Sequence, residues 1–232
     1  MTTIKLWDLA AAEEDRRFSP YCWRIKMALK HKGLGWEEIP WRFTDKEAIG
    51  FSGQKLVPVI DDGGKCLYDS WTIASYLDEA YPDRPMLFSG EEARTLSYFF
   101  KFWTERNVHS PVFRAIVLDV YARLHDKDKA YFRESREKRF GMTLEQFGAD
   151  TGAAIAGLNE ALEPLRPVLS DSPFVSGRSP GFADYILFGP FQWARAMSPT
   201  RLLKPGDPAY AWRERILDLF GGYARAAKGF PV

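Results

Sequence analysis

Residues 55–70, KLVPVIDDGGKCLYDS, contain the strongest fold signal in this sequence. Two β-prone runs flank the Gly63-Gly64 pair, which predicts a strand, a turn and a second strand. Pro58 lies at the start of the first run, where its missing N–H interrupts no ladder. The Val57–Pro58 bond can be trans or cis. A cis bond would leave the backbone of Val57 facing outward, ready to pair with an extended peptide.

The residues on either side of this hairpin alternate between strand and helix signals. Residues 4–7 and 36–40 are short strand candidates. Between them, Pro20 and Gly33 suit the start and the exit of a helix. Residues 70–82 repeat apolar side chains at helical spacing and end at a proline. This order predicts a mixed sheet with helices packed against it.

The sequence changes character after residue 91. Apolar side chains recur at helical spacing, Pro111 predicts a kink or a break, and the charged run 126–140 predicts a solvated helix. The proline-rich and polar residues before this region read as a linker. The predicted organisation is an α/β domain at 1–82, a linker at 83–92 and an all-helical domain at 93–232.

Composition and charge exclude several classes of protein. Hydrophobic residues make up 46% and charged residues 27% of the 232 residues, as in soluble globular proteins. The net charge of +1 gives no electrostatic case for a nucleic-acid partner. The two cysteines form neither a disulfide framework nor a metal-ligand spacing, so no metal is expected. Without a signal peptide or a membrane-spanning run, we expect a cytoplasmic protein with no membrane partner.

The Asp69-Ser70 pair opens the helix after the hairpin. Ser70 is predicted to be the N-cap, with Asp69 directly before it. The free N–H groups of a helix start, together with a hydroxyl, bind a carboxylate, and a carboxylate beside them binds an ammonium. The pair therefore fits the head of an α-amino acid. Simple helix capping is the alternative interpretation.

Four segments together resemble the glutathione transferase superfamily: SPYCWR at 19–24, LVPVI at 56–60, YDSWTIASYLDEAYP at 68–82 and FADY at 182–185. Within this superfamily, the sequence is most similar to the bacterial lignin β-etherases and to the related fungal FuA-type transferases. The resemblance implies a thioredoxin-like domain with a mixed four-stranded sheet and a cis Pro58, followed by an all-α domain. It also implies glutathione as cosubstrate and a homodimer.

The resemblance implies a catalytic role for Ser19. Glutathione reacts as its thiolate, and a hydroxyl that donates a hydrogen bond to sulfur stabilises the charge and lowers the thiol pKa. The start of the helix at Pro20 adds a favourable dipole. Capping of that helix is the alternative role for Ser19.

The glutathione-binding residues follow from the same resemblance. The backbone next to the cis-proline would pair with the cysteinyl part, and the acidic-Ser pair would hold the γ-glutamyl head. Two polar residues before LVPVI are candidates for the glycyl carboxylate, with solvated surface as the alternative. The predicted set is Gln54, Lys55, Val57, Pro58, Asp69 and Ser70.

The electrophile is expected above the first helix, against the helical domain. Aromatic side chains there could stack an aryl substrate, although Trp103 could equally be core. A base such as His109 is not needed for thiolate attack. The predicted pocket consists of Tyr21, Trp103, Asn107, Ser110 and Phe113.

The leading prediction is a glutathione S-transferase that attacks a small hydrophobic or aromatic electrophile, with β-aryl ether cleavage as one form of this reaction. A non-catalytic glutathione-binding or scaffold protein is an alternative, since fold does not fix function. A glutathione-dependent thiol-disulfide reductase using Cys22 is another, because SPYC resembles the CPYC redox motif without its first cysteine. A lone cysteine inside a helix is more often a packed apolar residue.

The FADY segment is predicted to serve folding. Relatives carry Ser or Thr three residues before its Asp, where they form a capping box, but this sequence has Gly181. Asp184 can still accept a hydrogen bond from the Gly181 N–H.

Overall fold

The structure, a computed structural model, describes residues 3–231. Its first part is a four-stranded mixed sheet, with strands in the order β2-β1-β3-β4. The β1–β2 pair is parallel and the other two pairs are antiparallel, which confirms the predicted sheet. The strands are β1 Ile4–Leu9, β2 Trp36–Trp41, β3 Val59–Asp62 and β4 Lys65–Tyr68.

Two helices and a 3-10 turn accompany the sheet: α1 Pro20–His31, α2 Ser70–Ala80 and the 3-10 helix Lys46–Ser52. The crossover through α1 makes the parallel β1–β2 pair possible. Pro20 begins α1, and Gly33 follows it with a left-handed φ of 64°, as the sequence predicts. The Val57–Pro58 bond is cis.

The second part of the molecule is mostly helical. Its α3 begins at Glu91, within the segment predicted as a linker. The sequence predicted a kink or a break near Pro111. The structure has a π-helical turn at Glu105–His109, which ends two residues before this proline. The helices are α3 Glu91–Thr104, α4 Ser110–Arg123, α5 Asp126–Phe140, α6 Leu144–Phe147, α7 Thr151–Leu162, α8 Leu165–Asp171, α9 Phe182–Met197 and α10 Pro208–Ala226, which is interrupted at 219–222.

The solvated helix predicted at 126–140 is only partly correct. It is a helix, α5, but Asp128 and Phe132 are buried. The Asp128 carboxylate accepts hydrogen bonds from the backbone N–H groups of Phe43 and Thr44, at 3.2 and 3.0 Å. These bonds attach α5 to the loop after β2. The helix therefore covers part of the sheet domain and does not simply face solvent.

The two parts are joined by close packing of α1 against α9. A side chain at Gly189 of α9 would collide with the carbonyl oxygen of Pro20, in the first turn of α1. Glycine allows this approach because it has no Cβ. The contact fixes the N-terminal end of α1 against the helical domain. Within residues 3–231, no helix combines the length and the apolar character needed to cross a bilayer.

Candidate functional site

Two adjoining cavities lie where the sheet domain meets the helical domain. We call the larger one, of about 470 Å³, the aromatic cavity. We call the smaller one, of about 300 Å³, the strand-edge cleft; it is lined by Tyr21, Gln54, Leu56, Val57, Pro58, Tyr68, Asp69 and Ser70. Tyr21, Leu56 and Val57 border both spaces, so a ligand lying in the cleft can present one end to the cavity.

Ser19 lies in the wall of the aromatic cavity, directly before α1, and is 3% exposed. Its Oγ accepts a hydrogen bond from the backbone N–H of Cys22, at 3.2 Å. A hydroxyl has one proton and two acceptor lone pairs. Capping uses one lone pair and leaves the proton available to a ligand. The capping role and a donating role are therefore compatible.

Asp69, and not Ser70, is the N-cap of α2. Its Oδ1 accepts the backbone N–H groups of Trp71 and Thr72, each at 3.0 Å. The prediction for Ser70 was wrong because a carboxylate is the stronger acceptor, and Asp tolerates the left-handed φ of 66° found at this position. The second oxygen, Oδ2, accepts no hydrogen bond from residues 3–231. It can therefore receive a ligand donor.

Ser70 is the first residue of α2 and is 1% exposed. Its Oγ lies 3.5 Å from the guanidinium of Arg24, which also donates to Glu105 of the helical domain at 3.3 Å. Arg24 thus bridges the two domains. Gln54 lines the strand-edge cleft, whereas Lys55 is exposed and lines neither cavity.

Of the five residues predicted for the electrophile pocket, three line the aromatic cavity and two do not. Tyr21, Ser110 and Phe113 line the aromatic cavity. Trp103 instead stacks on Phe100, with ring centroids 5.1 Å apart, and the Asn107 amide donates to the Trp103 carbonyl at 2.9 Å. The physical reason is the π-helical turn at 105–109, which inserts a wider turn and rotates the face before it away from the face after it.

Most of the cavity wall was not predicted. Arg136 and Arg139 lie one turn apart on α5, on the face turned to the cavity. Their spacing places both side chains on one face of the helix and could have indicated a shared site. A densely charged helix, however, normally indicates solvated surface. The cavity also contains aromatic side chains from separate parts of the chain: Phe18, Trp41, Phe43, Phe132, Phe140, Phe147 and Trp193.

Both parts of the chain match families of known proteins. The glutathione S-transferase N-terminal domain matches residues 15–85, and the glutathione S-transferase C-terminal domain matches residues 95–202. The chain belongs to the glutathione S-transferase superfamily. Among solved structures, this transferase is 25% identical to glutathione transferase GSTFuA3 from Phanerochaete chrysosporium, with a TM-score of 0.79 and 100% of each chain covered. This match confirms the predicted likeness to the FuA-type proteins.

Two further relatives match most of the transferase. The glutathione S-transferase CsGST63524 of Ceriporiopsis subvermispora, solved in complex with glutathione, is 24% identical, with a TM-score of 0.81 over 96% of this chain and 98% of that one. This likeness shows a shared fold. The probable glutathione S-transferase GSTU6 of Oryza sativa subsp. japonica is 27% identical over 215 residues, covering 85% of this chain and 80% of the rice protein.

His109 lies in the cavity wall of this transferase, between the rings of Tyr21 and Trp193, with centroids at 5.5 and 5.0 Å. Burial, with smaller effects from the Arg24 and Arg139 charges, lowers the pKa of His109 to about 3. The imidazole is therefore neutral at physiological pH. Because its basicity is low, it is a poor general base.

Cys22 does not have the environment of a reactive thiol. Its side chain is fully buried, with Sγ 3.8 Å from the carbonyl oxygen of Trp7. Burial, and then the nearby Asp8, raise the pKa of the Cys22 thiol well above its usual range. Reactive cysteines are accessible and have a lowered pKa. The reductase interpretation is therefore disfavoured. Cys66 is only partly buried.

Proposed function

We propose that this glutathione S-transferase binds glutathione along the strand-edge cleft and activates its thiol with Ser19. The thiolate then attacks an aromatic electrophile in the aromatic cavity. The observation that carries this proposal is the meeting of the two spaces at Tyr21, Leu56 and Val57, with the Ser19 hydroxyl in the wall of the aromatic cavity. A peptide in the cleft would place its central residue at this junction.

The polar residues of the strand-edge cleft match the charged groups at the two ends of glutathione. The γ-glutamyl ammonium is assigned to the Asp69 carboxylate and the γ-glutamyl carboxylate to Ser70 and the start of α2. The backbone of Val57 pairs with the cysteinyl unit, next to the cis Pro58. Gln54 is assigned to the glycyl carboxylate. Lys55 is assigned a longer-range electrostatic contribution to the same group, because it is exposed and outside the cleft wall.

The proposed reaction is a nucleophilic substitution. The thiol proton leaves to solvent, and the sulfur forms a bond to an electrophilic carbon. The bond from that carbon to the leaving group breaks, and the leaving group departs with the electron pair. In a β-aryl ether the leaving group is an aryl oxide, so ether cleavage is one form of the same step. The aromatic wall fits either kind of substrate.

An isothermal titration with glutathione, followed by thiolate absorbance against pH on the same sample, tests this assignment. We expect binding together with a lowered thiol pKa, followed by turnover in a screen of activated aryl halides and β-aryl ethers of ketones. A non-catalytic binding or scaffold protein would bind glutathione with an unchanged thiol pKa and show no turnover. That result would overturn the proposal.

Asp69→Asn should weaken glutathione binding about tenfold. The variant keeps an acceptor for the cap of α2 and tolerates the left-handed backbone, but it loses the charge that faces the ammonium. Hydrogen bonds to charged groups contribute about 1.5–3 kcal/mol, and partial exposure of Asp69 places the effect near the lower end. Titration calorimetry measures the change. Glu79→Gln, an exposed acid at the other end of α2, is the matched control and should bind as the wild type does.

We further propose that the transferase forms a homodimer through one face of α3. Leu96, Phe99 and Phe102 recur every third residue and are 68%, 66% and 50% exposed. A soluble monomer rarely exposes a continuous apolar patch of this kind. A second copy of the chain is the occupant that the family resemblance implies.

Phe99→Glu should convert the dimer to a monomer. A charge in the centre of an apolar interface would be buried without a partner on both copies. Sedimentation velocity should give the mass of two chains for the wild type and of one chain for the variant. Val168→Glu places the same charge on an exposed apolar residue of α8 and should remain dimeric. Equal masses for Phe99→Glu and the wild type would remove α3 from the interface.

A further inference from the structure

The wall of the aromatic cavity contains two cations that have no acid partner among residues 3–231. Arg136 and Arg139 line the cavity, and neither forms an ion pair within residues 3–231. Arg133 on the same helix behaves differently, since it is paired with both Glu137 and Glu145 at 2.8 Å. Acidic side chains therefore neutralise Arg133, which is outside the cavity wall. Arg136 and Arg139, which are in the wall, have no such partner among residues 3–231.

The Arg136 guanidinium is held against apolar surface. Its carbon lies 5.0 Å from the ring centroid of Phe43 and 4.6 Å from that of Phe132, and one nitrogen donates to Ser135 Oγ at 2.8 Å. Arginine stays charged in proteins, and a partly desolvated charge without a counter-ion is costly. Ring stacking and one hydroxyl compensate for part of that cost. An anion in the cavity would supply the missing partner.

The acid in the cavity wall does not fill this role. Glu105 lies 3.3 Å from Arg24 and 3.7 Å from Lys101, so its charge is already shared by two cations. Arg139 is exposed and contacts the Phe140 ring at 5.5 Å. It lies at the solvent edge of the cavity, where a charge attracts ligands of opposite sign.

We propose that the electrophile of this transferase is an aryl anion, whose carboxylate or similar group is held by Arg136 and Arg139. Its ring packs on the aromatic wall at Phe113, Phe147 and Trp193. The ring centroids of Phe147 and Trp193 lie 5.6 and 5.1 Å from that of Phe113. Arginine suits the task because its planar fork matches a carboxylate. The proposal rests on the proposed function only for the chemical step, since anion binding needs no turnover.

A second source of carboxylate has to be separated from the first. The glycyl carboxylate of glutathione could reach the same two arginines, because the strand-edge cleft adjoins the aromatic cavity at Tyr21, Leu56 and Val57. In that case the arginines would serve the cosubstrate. The two possibilities differ in which affinity the arginines control.

Binding of an unreactive pair of ligands tests the proposal. 3-Nitrobenzoate and 3-nitrobenzamide have nearly the same size and differ in charge. We would titrate each into the wild type, into Arg136→Gln/Arg139→Gln and into Lys138→Gln, all saturated with S-methylglutathione. Lys138 is the matched control, an exposed cation on α5 that is outside the cavity wall.

The expected result is a wild-type preference for the benzoate of about tenfold, consistent with charge-assisted hydrogen bonds. The double variant should lose that preference and bind the benzamide within about twofold of the wild type. Lys138→Gln should retain the preference. Equal wild-type affinity for the two ligands would overturn the proposal. So would a double variant that loses affinity for glutathione about tenfold and keeps its preference for benzoate.

A kinetic comparison distinguishes failure of this proposal from failure of the proposed function. With 4-chloro-3-nitrobenzoate, the glutathione sulfur bonds to the carbon that carries chlorine, and chloride leaves with the electron pair. The ratio of kcat/KM for the benzoate to kcat/KM for 4-chloro-3-nitrobenzamide should fall about tenfold in the double variant, because the intrinsic reactivities of the two compounds cancel in this comparison. Benzoate binding without any turnover would overturn the transferase step and still support the anion site. Turnover without any preference for the charged ligand would support the transferase step and overturn the anion site.

Discussion

Replacing Ser19 with alanine is expected to lower kcat/KM for glutathione conjugation by about 10- to 100-fold. The variant removes the hydroxyl that the proposed mechanism assigns as hydrogen-bond donor to the thiolate. A hydrogen bond to a charged group contributes about 1.5–3 kcal/mol, and about 1.4 kcal/mol corresponds to a tenfold change in rate. Stopped-flow measurement of product formation with an activated aryl halide gives the value directly.

The same substitution should move the pH–rate profile. In the proposed mechanism Ser19 stabilises the thiolate, so its loss is expected to raise the thiol pKa of bound glutathione. Because the thiolate fraction falls as the pKa rises, the variant loses most activity below the wild-type thiol pKa and recovers toward high pH. Thiolate absorbance against pH should shift upward by about one to two pH units, since one unit corresponds to about 1.4 kcal/mol.

Capping has to be separated from catalysis in this test. Ser19→Ala also removes the acceptor for the Cys22 N–H and should cost about 1 kcal/mol of stability. Ser19→Gly removes the same hydroxyl at a capping cost of only a few tenths of a kcal/mol. Both variants should lose activity equally while differing in their unfolding midpoints. If Ser19→Gly kept wild-type turnover and thiol pKa, Ser19 would be a helix cap alone.

The sequence predicted the sheet domain well because its signals are local. A Gly-Gly turn separates β3 from β4, and Pro20 with Gly33 brackets α1. Turn and capping chemistry is decided within a few residues. The α2 start shows the limit of this reasoning. Ser70 was the predicted cap, but the capping side chain is that of Asp69, whose left-handed φ of 66° is not visible in the sequence.

The electrophile side of the site was harder to predict because its wall is formed by residues from distant parts of the chain. Extrapolating one helical face from Trp103 to Ser110 failed at the π-helical turn, which periodicity does not reveal. Arg136 reads as surface in the sequence. It becomes part of the cavity because Asp128, two turns earlier, attaches α5 to Thr44 in the sheet domain. Such long-range contacts are set by the packed fold and leave no local pattern.

Asp184→Ala is expected to cause the largest loss of stability, about 3–5 kcal/mol. Its fully buried carboxylate accepts four hydrogen bonds, from the backbone N–H groups of Val175, Ser176 and Gly181 and from the Trp212 indole, at 2.8–3.2 Å. Each buried donor left without an acceptor costs about 1–3 kcal/mol, and relaxation makes the sum smaller than four such costs. The bond from Gly181 is the one the sequence predicted.

Thermal unfolding measures this effect, and activity separates folding from chemistry. For a chain of this size, 1 kcal/mol corresponds to about 2–4 °C, so the midpoint should fall by about 6–20 °C. Asp171→Ala, at an exposed position near the end of α8, should change it little. Asp184 lines neither cavity. The folded variant, assayed at a temperature well below its unfolding midpoint, should therefore retain nearly wild-type kcat/KM. A variant with wild-type stability but no turnover would instead place Asp184 in the reaction and contradict its assignment to folding.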